Sequence, residues 1–178
     1  MFGKLFCDLI KSKKAIPYLY NTWSREATPQ TQPAINKVYE QLAVQTQSVL
    51  VPVGTLWAES RIQKPANQLY FTDGSHPSPL GTFLIALCFV KKITGTLPTK
   101  YATVYNYPAI DNESIRLMQV SENDIFFYSN LVNNYLKNGF ELLNIESEKE
   151  WRSVIFKKRY QSFVLSFPRA SPNLSSLP

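Results

Sequence analysis

Asp73 and His76, within the stretch FTDGSHPSPLG (71–81), are the residues whose types and spacing suit proton-transfer chemistry. His76 is the only histidine in the chain. An unperturbed histidine has a pKa of about 6.5, so near neutral pH it can take a proton from a hydroxyl and return it. A carboxylate bonded to one ring nitrogen fixes the tautomer and stabilises the imidazolium that forms. Three positions apart in a turn-forming sequence, the two groups can be delivered by one short loop. Gly74 relaxes the turn, and Pro77 and Pro79 restrict the chain after it. Asp-x-x-His also arises by chance, and spacing alone leaves that alternative standing. A metal site fits less well, because no second histidine or nearby cysteine completes the ligands.

A loop of this kind needs rigid elements to hold it. Ser78 is a natural N-cap, Pro79 a natural first helical residue, and Gly95 a natural stop after Lys91 and Lys92. The helix between them, LGTFLIALCFVKKIT, is apolar nearly all round, which predicts burial against a sheet. Upstream, Phe2, Leu5, Phe6, Leu9 and Ile10 repeat at helical spacing, with Lys11, Lys13 and Lys14 at the C-terminal end where the macrodipole favours cations. AIPYLY (15–20) and SVLVPV (48–53) read as short buried strands. Between them, NTWSREATPQTQ is loop and Pro33 opens a helix with Ile35, Val38, Tyr39, Leu42 and Ala43 in one stripe. Strand, loop, helix, strand is a βαβ unit of an α/β sheet with parallel strands. Ligands bind such sheets beyond the carboxyl ends of the strands, which puts the loops after Tyr20 and Val53 on one crevice. A short helical stretch at Leu56–Arg61 leads towards the Asp–His loop.

Further on, TKYATVYNYPAI (99–110) reads as a connection bearing Pro and Tyr. Ser121 and Asp124 form a capping-box-like start to a helix with Ile125, Tyr128, Val132 and Tyr135 on one face and Gly139 as its stop. WRSVIFKKRYQSFVLSF (151–167) suggests two strands around KKRY, and SPNLSSLP frays. The net charge of +6 is unevenly placed: residues 149–178 hold six basic and one acidic side chain, the preceding residues thirteen and twelve. Trp151, Arg152, Phe156, Lys157, Lys158, Arg159, Tyr160 and Phe163 interleave cations with aromatics. Binders of single strands or anionic lipid do this, and so do strand pairs whose charges protect an edge. A non-enzymatic α/β binding module, with this tail holding a polyanion or a membrane surface, is therefore the reading of a different class.

Apolar residues make up 44% of the chain and charged residues 18%, the balance of a globular domain. Cys7 and Cys88 match no metal or redox spacing and read as buried thiols. The longest apolar run, Phe83–Val90, is too short to span a bilayer. MFGKLFCDLIKSKKAIP shows neither a long apolar core nor a small-residue cleavage site, so no signal peptide is expected.

The stretch DGSHPSPLGTFLIALCFVKKITG (73–95) resembles the last sequence block of the SGNH hydrolases, also called GDSL esterases. LYNTWSRE (19–26) resembles the strand end and Thr-Trp loop of a bacterial branch of that family. VPVG (51–54), followed by Leu56 and Trp57, resembles its next strand and loop, and Thr94–Met118 its tail. The resemblance covers roughly residues 1–136, and residues 137–178 form a basic aromatic tail outside it. It implies a flavodoxin-like three-layer α/β/α sandwich with parallel strands. It also implies carboxylic-ester or carbohydrate acyl-ester hydrolysis through an acyl-enzyme, with His76 as base and Asp73 as its orienter.

The family's nucleophile lies in a Gly-Asp-Ser or Gly-Asn-Ser block, and its oxyanion hole in two further glycine-bearing blocks. None of these is present; the six glycines are Gly3, Gly54, Gly74, Gly81, Gly95 and Gly139. The expectation is thus the C-terminal part of an SGNH-type domain, truncated at its N-terminal side and inactive alone. Its partners would be an ester substrate in the complete enzyme, and a complementary N-terminal half or a second copy. No cofactor, metal, membrane span or nucleic acid is called for, and the compartment of the parent protein stays open. Ser75 and Ser78 are placed to satisfy the turn or cap the helix, and Ser24 to approach across the crevice without an elbow to present it. Trp23 and Arg25 are expected to border the substrate cleft, with packing of Trp23 against the histidine loop the open alternative.

Overall fold

The computed structural model describes residues 2–108, 113–137, 153–158 and 161–166. Helix α1 (Phe2–Ser12) precedes a short strand β1 (Tyr18–Tyr20). A 3-10 turn at Pro29–Thr31 leads into α2 (Gln32–Thr46), and β2 (Val49–Val51) follows. β1 and β2 pair in parallel, with Leu19 opposite Leu50, so the expected βαβ unit forms. Both strands are shorter than the apolar runs that announced them. Pro52 ends β2, and Val53 already belongs to helix α3 (Val53–Gln63), which is longer than the stretch expected at 56–61.

Helix α4 (Pro79–Thr94) starts and stops where its caps predict. The Ser78 hydroxyl accepts from the Gly81 amide at 3.1 Å, and Gly95 closes the helix in the left-handed region with its N–H on the Lys91 carbonyl. The helix is not buried all round. Gly81, Phe83, Leu84, Leu87 and Cys88 turn inward while Thr82, Ala86 and Ile93 stay exposed. One face of α4 is enough to close the core with Val51, Leu56, Trp57, Tyr128 and Val132. Each such large side chain taken fully from water contributes about 1.5–3 kcal/mol.

The segment expected to be a plain connection is half of a hairpin. β3 (Val104–Pro108) pairs antiparallel with β4 (Ser114–Gln119), with a register shift between Tyr105 and Asn106. Helix α5 (Glu122–Lys137) then packs against α3 through a polar lock. Lys64 and Asn67 donate to one Asp124 oxygen at 2.8 and 2.9 Å, while Ser60 and Asn67 both donate to the Tyr128 hydroxyl. Burial works against the Asp124 carboxylate, but its hydrogen bonds with Lys64, Ser121 and Asn67 outweigh that and hold its pKa below the usual range.

The chain divides into two compact units, Met1–Leu136 and Lys137–Pro178. In the second, β5 (Ser153–Lys158) and β6 (Gln161–Ser166) form an antiparallel pair, two strands around KKRY as the sequence suggests. Trp151, Arg152, Arg159, Tyr160, the helix stop at Gly139 and the terminal SPNLSSLP lie outside the described residues. No helix among the described residues is long and apolar enough to cross a membrane. The architecture shown is mixed α/β, with one parallel strand pair.

Helix α1 presents its apolar stripe outward. Cys7 is buried, and a side chain on Gly3 would lie 2.9 Å from a Leu42 methyl, so that face meets α2. Phe2, Leu5, Phe6 and Leu9 face solvent, with Phe6 65% exposed. β1 is open as well. Pro17 and Asn21 bond to β2, so strand alternation turns the backbone groups of Tyr18 and Tyr20 to the other edge. No strand among the described residues pairs there. An apolar stripe beside an open strand edge favours association. Sedimentation of the purified chain should show species heavier than the 20.4 kDa monomer that grow with concentration, and Leu5→Lys with Leu9→Lys should suppress them. A monomer at every concentration would rule this out.

Candidate active site

The Asp–His loop is a closed excursion between Tyr70 and Pro77, which pair as an antiparallel bridge. Its base is fastened twice, by the Phe71 amide on the His76 carbonyl and the Ser78 amide on the Leu69 carbonyl, both at 2.8 Å. At the tip the Gly74 amide reaches the Phe71 carbonyl at 3.0 Å, and Gly74 takes φ +64°, a conformation that glycine adopts without a steric penalty. Asp73 organises what is inside. Its Oδ1 accepts from the amides of Ser75 and His76 at 3.0 and 2.9 Å, and its Oδ2 meets Nδ1 of the His76 ring. The His76 hydrogen bond, followed by the two amides, pulls the Asp73 pKa down from 3.8 to about 2. The carboxylate is therefore ionised at neutral pH.

This geometry engages Nδ1 of His76 and leaves Nε2 unbonded. It has no partner among the described residues, and the side chain is 78% exposed, so it faces solvent rather than lying within a walled cleft. With Asp73 orienting Nδ1, Nε2 can accept a proton from a hydroxyl brought to it.

The loop after β1 braces the histidine loop from the side. The Trp23 indole N–H donates to the Ser75 carbonyl at 2.9 Å, the Glu26 amide to the Gly74 carbonyl at 2.9 Å, and the Tyr70 hydroxyl to the Ser24 carbonyl at 2.7 Å. Trp23 thus packs against the histidine loop, the second of its two readings. Arg25 is exposed and its guanidinium pairs with no carboxylate among the described residues.

Behind Trp23 stands Trp57 of α3, stacked on it with ring centroids 4.1 Å apart and planes 7° from parallel. Trp57 leans in turn on α4, where a Cβ at Gly81 would sit 2.6 Å from Cη2 of the indole and 2.3 Å from the Leu69 carbonyl. Only glycine fits there. Trp57, Tyr70 and Gly81 are the positioning residues that sequence reasoning missed. A signal existed: a lone glycine inside an apolar helix marks a close packing contact.

No serine of the described residues meets the histidine ring. Ser75 lends Asp73 its amide and Trp23 its carbonyl, and Ser78 spans the Gln68 carbonyl and the Gly81 amide. Ser24 is buried, its amide taken by the Gln32 side chain at 2.6 Å. Among the described residues no cluster of three His, Cys, Asp or Glu side chains could hold a metal ion. Both cysteines are buried, and burial pushes the Cys88 thiol up, out of reach of thiolate chemistry near neutral pH.

Two outcomes follow from this geometry. Because the folded Asp73 pKa is depressed, its contribution to the loop is fully present above about pH 4 and is lost as pH falls through about 2. The amide resonances of Ser75 and His76 should therefore titrate with a midpoint near 2, and Asp73→Asn should abolish that transition; a midpoint at the usual 3.8 would contradict the bonding described. Trp57→Ala removes the stacked support and should lower stability by about 3–5 kcal/mol in denaturant unfolding, with the Trp23 indole N–H losing its protection from hydrogen exchange.

Comparison of the chain with protein-family models, with curated proteins and with solved structures returns no match.

Proposed function

We propose that Asp73 and His76 are the proton-handling half of an SGNH-type serine ester-hydrolase site, and that its nucleophile comes from polypeptide outside this chain. The observation that carries this reading is the bonding of Asp73: one oxygen tied to two backbone amides, the other on Nδ1 of His76, with Nε2 left free. A carboxylate placed only to close a turn needs the amides but not the ring.

In the complete site, Nε2 takes the proton of a serine hydroxyl as that oxygen attacks the ester carbonyl. Asp73 holds the opposite N–H and stabilises the imidazolium. The proton then passes to the leaving alcohol, and a water activated by the same nitrogen releases the acid from the acyl-enzyme. The substrate is a carboxylic ester or an acyl group on a carbohydrate. Support for an outside nucleophile is twofold: no Gly-Asp-Ser or Gly-Asn-Ser block exists in the 178 residues, and no serine of the described residues bonds the ring. The open edge of β1 and the bare stripe of α1 are where further parallel strands and their cover would extend the sheet into a three-layer sandwich.

The sequence holds none of the family's nucleophile and oxyanion blocks, and one oxyanion donor alone is worth about 10²–10³ in rate. The isolated chain should hydrolyse a p-nitrophenyl ester no faster than its His76→Ala variant. Mixed with a polypeptide bearing the family's Gly-Asp-Ser strand, it should gain hydrolysis that His76→Ala lacks. Stoichiometric labelling of one serine of the isolated chain by a fluorophosphonate would place the nucleophile within it and overturn this account.

A further inference from the structure

Asp73 is the only one of the chain's four aspartates that a glycine follows. An aspartate before glycine can be attacked by its own backbone. The nitrogen of the next residue closes on the side-chain carboxyl carbon, and glycine leaves that path clear because it has no Cβ. In such a closure a bond forms between the Gly74 nitrogen and Cγ of Asp73. One Cγ–O bond breaks, and the hydroxyl leaves as water together with the amide proton. A second water then reopens the cyclic imide. Cleavage at Cγ restores aspartate, while cleavage at the backbone carbonyl leaves the chain running through the side chain as isoaspartate. Nothing is oxidised or reduced.

The closure needs a neutral carboxyl, because a carboxylate has no hydroxyl to lose. It also needs a carboxyl free to turn its face to the nitrogen, and a nitrogen released from its own hydrogen bond. The loop opposes all of these. Oδ1 is held by the amides of Ser75 and His76 and Oδ2 by Nδ1 of the His76 ring, so the carboxyl plane is fixed from both ends. The same bonds favour the ionised form. A pKa of about 2 in place of 3.8 makes the neutral carboxyl about sixtyfold rarer at any pH above both values. The Gly74 N–H is engaged by the Phe71 carbonyl at 3.0 Å, and the Gly74 carbonyl accepts from the Glu26 amide at 2.9 Å. Exposure gives no protection here, since the Asp73 side chain is 42% exposed and water reaches it. What guards the pair of residues is hydrogen bonding.

We infer that Asp73–Gly74 is a latent isoaspartate site, kept closed by the hydrogen bonds of Asp73 and Gly74 in the folded loop and opened when the His76 ring or the loop is released. Isomerisation would end the Asp73–His76 contact. Isoaspartate carries its free carboxylate directly on Cα, one carbon short of its present reach, and its extra backbone carbon displaces Ser75 and His76. The charge-assisted bonds that order the loop are then lost together. The inference stands on the bonding of the loop alone and does not depend on the role proposed for Asp73 and His76.

The test is to age the full chain in mildly acidic buffer at physiological temperature and to count isoaspartate at residue 73 by peptide mapping, where the isomer keeps its mass but separates on the column. The folded wild type should accumulate it about tenfold or more slowly than the same chain unfolded in urea. That margin is smaller than the neutral fractions alone give, because solvent screens an exposed carboxylate. His76→Ala frees Oδ2 and should isomerise several-fold faster than wild type. His76→Asn, whose side-chain amide can donate where Nδ1 stands, should return most of the protection, which a merely loosened loop would not. Residue 76 is exposed, and an unmoved Trp23 indole N–H cross-peak reports an intact fold in both variants. Equal rates in the folded and unfolded wild type, no isomerisation in either state, a folded His76→Ala no faster than wild type, or His76→Asn as fast as His76→Ala would each overturn the inference.

Discussion

The stack of Trp23 on Trp57 joins every element that matters for the histidine. Trp57 is pinned against α4 by the missing side chain of Gly81, and Trp23 passes that position on through its bond to the Ser75 carbonyl. Asp73 and His76 flank that same Ser75, so their placement is set by a helix start, a glycine and two indoles rather than by the loop alone. A stacked aromatic pair of this kind contributes about 0.5–1.5 kcal/mol beyond the area it buries. α4 supplies the remaining constraint. Its N-cap, Ser78, also anchors the Gln68 carbonyl, so the helix start and the base of the loop are one hydrogen-bonded unit.

Much of this was legible as residue chemistry. Ser78, Pro79 and Gly95 marked the bounds of α4 because capping depends on a few local backbone groups. The Asp73–His76 contact was legible because both residues belong to one turn whose glycine and prolines restrict it. What depended on distant partners was not. Nothing near Val104 announces that Tyr107 will lie opposite Ile115, since a hairpin with a long loop carries no tight-turn signal. The apolar stripe on α1 predicted a helix correctly but not which face would be covered. The small residues Gly3 and Cys7 take the contact with α2, because only they allow it to approach closely. Trp23 was undecided between lining a cleft and bracing a loop because an indole does either, and Trp57, which decides it, lies 34 positions away.

Exposure limits what the Asp73–His76 pair can do by itself. A solvated imidazole beside a carboxylate has the right proton inventory, but water screens the charges that a transition state would need to feel. A site that accelerates acyl transfer excludes that water and adds fixed donors for the oxyanion. Among the described residues His76 has neither, whereas Tyr70 and Ser24, 46 positions apart in sequence, are tied together in a buried environment.

On the reading proposed above, that contrast bears on how the site would be completed. Asp73 satisfies its oxygens within its own turn, and the turn is fastened at its base and braced from the β1 loop, so none of these bonds waits for another polypeptide. The ring is therefore oriented before anything docks, and the entropy of ordering it is not charged against docking. On the proposed reading, a polypeptide that brings a serine would have only to meet a preformed surface, and its affinity would come from the apolar stripe of α1 and the open edge of β1 rather than from the histidine. Binding and chemistry then reside in different parts of the fold. On the proposed reading, a change on α1 would alter how tightly such a polypeptide associates, and a change at Asp73 would alter the orientation of the ring.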